Sequence, residues 1–191
     1  MKLIKTRWLA VFCLAAIMAL PAAALAADKD AGDKGKEKKQ AVKLSEEDQK
    51  KYDLAFEKAL AHYEKAQLLY EKKNLEKTAK ELESIIALEY PKAAAGADGP
   101  LMQLDMRSFL GEIYLELGKG KEAVEVLKKG LEKAPEISTQ AYQLHMTLGH
   151  VYKEMKKVDD ALEAFDKAEK INEALLKEEE KAKKKEAGAE K

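Results

Sequence analysis

A nine-residue step from tyrosine to alanine occurs twice in this chain, Tyr114 to Ala123 and Tyr152 to Ala161, with matching residues on either side. Leu110-Gly111-x2-Tyr114 is followed by Ala123, Leu127, Gly130 and Pro135. Leu148-Gly149-x2-Tyr152 is followed by Ala161, Phe165, Ala168 and Glu173 at the same spacings. A small residue lets a facing helix come close, and a large residue beside it fills the remaining space. A motif recurring after 38 residues, from Gly111 to Gly149, is the mark of a stacked supersecondary unit rather than of one globular core.

The residues ahead of these units have a helical period too. Ser45 followed by Glu46, Glu47 and Asp48 is a helix start, with a side-chain cap and acids at the positive end of the dipole. Tyr52, Phe56, Ala59, Tyr63, Ala66 and Tyr70 then recur at four- and three-residue steps, on one face of a single helix over 45–73. Asn74 marks a turn, and Leu75, Thr78, Leu82, Ile85 and Ile86 form the face of a second helix ending before Pro91. Pro91 to Pro100 reads as a loop, either widening the angle between units or hinging them. Four more helices are expected at 101–117, 121–134, 138–155 and 158–176, with Ser138 capping the third of them.

This pattern resembles the tetratricopeptide repeat, in a protein of exported bacterial type. The first helix pair looks like a degenerate copy, with Ala66 at the glycine position, Leu69 at the tyrosine position, Leu82 at the large position and Thr78 at the close-contact alanine. The resemblance implies an all-α fold: antiparallel helix-turn-helix units, about three of them, stacked as a short right-handed solenoid. The repeats fall at about 59–91, 104–137 and 142–175, within a helical domain at 45–176. In this family the first helix of each pair lines a concave groove. By phase the residues facing it are Tyr63, Gln67 and Tyr70, then Ser108, Glu112 and Leu115, then Met146, His150 and Lys153. Some relatives hold a peptide carboxylate with lysine, asparagine and arginine. Here Gln67, Glu112 and His150 stand where asparagines would, so that specificity is not carried over.

The first 26 residues read as a signal peptide. Lys2, Lys5 and Arg7 precede an apolar run from Trp8 to Leu20, Pro21 breaks it, and Ala24-Leu25-Ala26 offers small residues for cleavage after Ala26, or else after Ala27. The alternative is an uncleaved anchor, because the uncharged stretch from Trp8 to Ala27 is 20 residues long. The export signal places the domain in the periplasm or outside the cell. Cys13 is the only cysteine and lies inside this segment, so the mature chain offers no disulfide, thiol nucleophile or cysteine metal ligand. Residues 27–44 read as a disordered charged linker and 177–191 as a charged tail that continues the last helix briefly and then frays.

Removing the signal takes three of 35 basic residues and none of 35 acidic ones, leaving a net charge near −3. That balance, with Arg107 as the one arginine beyond the signal, excludes a general nucleic-acid binder. His145 and His150 are five apart, about 140° around a helix, and do not form a metal pair. No G-x-S-x-G, glycine-rich phosphate loop or H-E-x-x-H is present. The chain therefore reads as a non-enzyme without cofactor, metal or small-molecule substrate. It is expected to bind a peptide or helix of another protein in its groove. Two alternatives remain open. One is a self-assembling structural protein that pairs through Ile171, Leu175 and Leu176 of the last helix, residues otherwise packed on helix 138–155. The other is a membrane-anchored adaptor that keeps its signal.

Overall fold

The computed structural model describes residues 44–189, with side chains to Lys184. The expected signal peptide at 1–26, with Cys13, and all but the last residue of the expected linker at 27–44 lie outside the described residues. Within them the chain forms six α-helices: α1 (Glu46–Glu71), α2 (Leu75–Ile86), α3 (Asp98–Glu116), α4 (Gly120–Leu131), α5 (Thr139–Glu154) and α6 (Val158–Ala189). No strand occurs among the described residues. Each helix packs on the next, and α3 packs on α5 as well, so the helices alternate between two layers. This is a helical-repeat solenoid, in which each pair buries its apolar face against its neighbours.

The caps expected at Ser45 and Ser138 are in place, and Asn74, expected only as a turn, caps its helix as well. Ser45 Oγ accepts from the Asp48 amide at 3.1 Å, Asn74 Oδ1 from Lys77 at 3.3 Å, and Ser138 Oγ from Ala141 at 3.0 Å. The three helix turns are superimposable in their hydrogen bonding. Lys73, Gly118 and Lys156 take left-handed φ of 57°, 73° and 59°. The next amide in each turn donates back five residues: Asn74 to Leu69 O, Lys119 to Tyr114 O, and Lys157 to Tyr152 O, at 2.9, 2.8 and 2.9 Å. This is the Schellman closure of a helix C-terminus. The turns are 45 and 38 residues apart, from Lys73 to Gly118 and from Gly118 to Lys156, which are the spacings of the motif residues. The first pair therefore shares its turn geometry with the other two.

The motif residues do the packing expected of them. A Cβ on Gly111 would lie 2.9 Å from the Leu127 side chain, and one on Gly149 would lie 2.5 Å from the Phe165 ring. In the first pair Ala66 and Leu82 are both fully buried, so a methyl is tolerated there. Thr78 is fully buried at the alanine position, and its hydroxyl donates to Asn74 O at 2.9 Å, which removes the cost of burying it.

The segment between α2 and α3 differs from expectation. Lys92–Ala94 forms a 3-10 turn, and α3 begins at Asp98, ahead of the expected start. Gly99 and Pro100 thus occupy its first turn, where proline sacrifices no intrahelical bond. The connection is tied down on both sides. Gln103 Nε2 donates to the carbonyls of Ile85 and Leu88 at 2.9 and 2.7 Å, capping the end of α2. The Tyr90 ring sits 5.5 Å from Tyr52, and the Gly99 amide donates to Tyr52 Oη at 3.1 Å. Tyr52 and Phe56, stacked at 5.7 Å, therefore cover this connection with the early turns of α1. With Tyr90 between them, α1 and α3 touch far less than α3 and α5 do.

The last helix also departs from expectation, running to Ala189 rather than ending near Leu176. Its extension is built of Lys, Glu and Ala, which favour helix, with i,i+4 pairs Glu173–Lys177 and Glu179–Lys183 along it. Ile171 packs on α5 beside Ala141 and His145. Leu176 stays half exposed, at 52%. At the positions where α4 uses Leu131 and Ala134 to receive the next helix, α6 has exposed Glu169 and Asn172, a polar outer face suited to the end of a stack.

Candidate interaction groove

The layer formed by α1, α3 and α5, the inner layer of the expected groove, carries the residues assigned to it by helical phase. Tyr63 and Gln67 are half-buried on α1 and hydrogen-bonded to each other, and the Tyr63 hydroxyl faces Asp105 on α3. Burial pushes that hydroxyl up to about 12. Tyr70, one turn on, lies edge-on to the Phe109 ring at 5.3 Å and faces Glu116 and Glu112. Burial, followed by those two carboxylates, raises its pKa as well. Tyr63, Gln67, Tyr70 and Glu112 are thus brought together across the α1–α3 contact.

Other predicted residues sit differently. Ser108 is 1% exposed and its Oγ is buried with no hydrogen-bond partner among the described residues, so it lies behind the groove surface. Its phase is right, but the closeness of neighbouring helices puts it in the core. Leu115 is half-buried and packs against the cluster around Leu127, Leu148 and Val151. Met146 is half-buried on α5, and Lys153 is exposed further along the same helix. His150 is exposed, with its ring edge-on to Phe165 of α6 at 5.3 Å, so it borders the α5–α6 seam.

Asp105 was not among the residues picked from sequence, and it is the most perturbed carboxyl on this face. Burial lifts it to about 6, opposed by a hydrogen bond from Gln140 of α5. It stands three residues before Ser108, so continuing the same phase back by one turn leads to it. Asp105 links all three inner helices, facing Tyr63 on one side and Gln140 on the other. The α1–α3 half of the groove is therefore aromatic and acidic, while the α5 end carries His150 and Lys153.

Elsewhere, His62 Nδ1 and Glu81 Oε2 pair at 2.6 Å and join α1 to α2. His145 Nδ1 is buried with no hydrogen-bond partner among the described residues, and burial together with Lys167 lowers its pKa. Among the described residues, no group of three His, Cys, Asp or Glu is placed to hold a metal. Nor is any helix there long and apolar enough to cross a membrane.

No curated protein matches this chain. The tetratricopeptide repeat family model matches at residues 104–136 and 142–175, which are α3 with α4 and α5 with α6. Such repeats generally mediate protein–protein interaction without catalysis. The equivalent turn at Lys73–Leu75 extends the same geometry to α1 and α2. Among the described residues the chain is thus an all-α helical-repeat protein, and its residues 104–136 and 142–175 match the tetratricopeptide repeat.

Proposed function

We propose that this protein is a non-enzymatic interaction scaffold of the bacterial cell envelope, exported by a cleaved signal. It holds an extended segment or a helix of one partner protein against α1, α3 and α5. The observation that carries this reading is the junction of Tyr63, Gln67 and Tyr70 with Asp105, Phe109 and Glu112. Aromatic faces give anchors at low entropic cost, and the polar groups set register. Export rests on the basic, apolar and alanine-rich order of residues 1–26.

The test is in-cell crosslinking of the tagged protein beside a variant carrying Tyr70→Ala, Glu112→Lys and Lys153→Glu, both confirmed helical by circular dichroism. An envelope protein recovered with the native chain and lost with the variant supports the groove. The same proteins recovered with both would place binding elsewhere. N-terminal sequencing of the native protein separates the exported form, starting at Ala27 or Asp28, from an anchored adaptor that keeps its signal. The self-assembly alternative draws on Val158, Leu162 and Leu176 of α6, exposed at 64%, 56% and 52%. A concentration-independent monomer in sedimentation would count against it.

A further inference from the structure

Arg107 is 6% exposed, and its Nε is buried with no hydrogen-bond partner among the described residues. It projects from α3 past Gly130, where a Cβ would lie 3.1 Å from its Cδ, so the glycine leaves its path open. Its head lines a cleft of about 380 Å³ between α2, α3 and α4, on the side away from the inner layer. A buried guanidinium left without full pairing costs several kcal/mol, and folded proteins rarely leave one so. Burial lowers its pKa, and Glu132 only partly opposes this. An apolar side chain would fill the position at less cost. An arginine here calls for an anionic group from outside the chain.

The rest of the cleft narrows the choice. Ile86 and Val126 form apolar walls. Seven residues along α3 from the arginine, about 10 Å, Glu83, Glu122 and Glu125 all act on the Tyr114 hydroxyl, which donates to Glu83. Glu125 is also paired with Lys129 at 2.6 Å. The cleft therefore carries a guanidinium at one place and three carboxylates at another, and neither a simple anion nor a simple cation matches both. A ligand carrying both signs on an apolar body satisfies both ends.

We propose that this cleft binds a small apolar zwitterion, its carboxylate on Arg107 and its ammonium group among Glu83, Glu122 and Glu125. The volume is at the lower end of ligand clefts, ~300–1,000 Å³, which suits a very short apolar peptide, whose charged ends stand apart, rather than a free amino acid, whose two charges share one carbon. The site is separate from the inner groove and independent of the partner proposed for it.

Titration calorimetry on the full chain tests this with leucyl-leucine as the probe, and with leucine, leucyl-leucine amide and N-acetyl-leucyl-leucine as controls. Saturable binding of the probe is expected, at least tenfold weaker for all three controls: leucine holds both charges on one carbon, and the other two lack the carboxylate charge and the ammonium charge respectively. Arg107→Met should abolish binding while keeping or raising the melting temperature, because it removes a poorly paired buried cation. Should that variant fail to fold, Glu122→Lys on the exposed rim must still weaken binding at least tenfold. No saturable heat with the probe, equal binding of any control, or unchanged affinity in a folded Arg107→Met or Glu122→Lys chain would each overturn the proposal.

Discussion

Asp105→Asn should stabilise this protein at neutral pH, by an amount that pH itself switches on. The folded chain holds the Asp105 proton up to about 6 because burial disfavours the carboxylate, whereas an unfolded chain releases it near ~3.9. Between those values the folded state binds more protons, so stability falls as pH rises through the window and the loss is complete above it. About two pH units at ~1.4 kcal/mol each set a ceiling of ~3 kcal/mol, and the residue's partial solvent access brings the expectation to ~1–2 kcal/mol. Asparagine keeps the shape and can still bond Gln140, but carries no charge to desolvate. Urea unfolding followed by circular dichroism, at steps from pH 4 to pH 8, measures the gap between variant and wild type. The gap should be smallest near pH 4 and reach its plateau above pH 6.5. A gap that stays constant over this range, or that narrows as pH rises, would refute the assignment of a desolvated carboxyl at the meeting of α1, α3 and α5.

The equivalent turns give a second test. Lys73→Gly and Lys156→Gly relieve left-handed backbone at φ 57° and 59°, so each should raise stability by ~0.5–1 kcal/mol in thermal or urea melts, whereas the same change at exposed Lys77, inside α2, should lower it. Gly149→Ala would put a methyl 2.5 Å from the Phe165 ring. It should cost ~1–3 kcal/mol despite alanine's better helix propensity, and Phe165→Leu in the same chain should recover part of the loss. Tyr52→Phe removes the acceptor of the Gly99 amide, for a loss of ~1 kcal/mol in urea unfolding. Hydrogen exchange should then rise first in residues 90–100, which that bond ties to α1.

Much of this architecture was legible because helix formation and pair packing are local. Ser45, Asn74 and Ser138 sit next to the amides they cap, and the Gly111–Leu127 and Gly149–Phe165 contacts join residues 16 apart in sequence. A glycine facing a large side chain at a fixed spacing leaves few arrangements other than two antiparallel helices. Tyr63, Gln67 and Tyr70 fell on the inner layer because helical phase follows from residue number alone. The chain by itself therefore determined the helices, their pairing and the face each presents.

The tertiary structure decided what depends on distance between pairs. Ser108 has groove phase, yet the approach of its neighbours buries it. Asp105 is one acid among 35 until burial between helices lifts its carboxyl and Gln140 reaches it. Pro91 to Pro100 looked like a free loop, because the bonds that hold it come from Tyr52 and Gln103, and Tyr52 is 47 residues from the amide it meets. Arg107 shows the same limit. Its rarity was visible in the sequence, but its burial in one cleft with Ile86, Val126 and three glutamates arises only when α2, α3 and α4 come together. Desolvation and long-range pairing are properties of the packed chain, since dielectric environment and partner distance have no value until the helices have stacked.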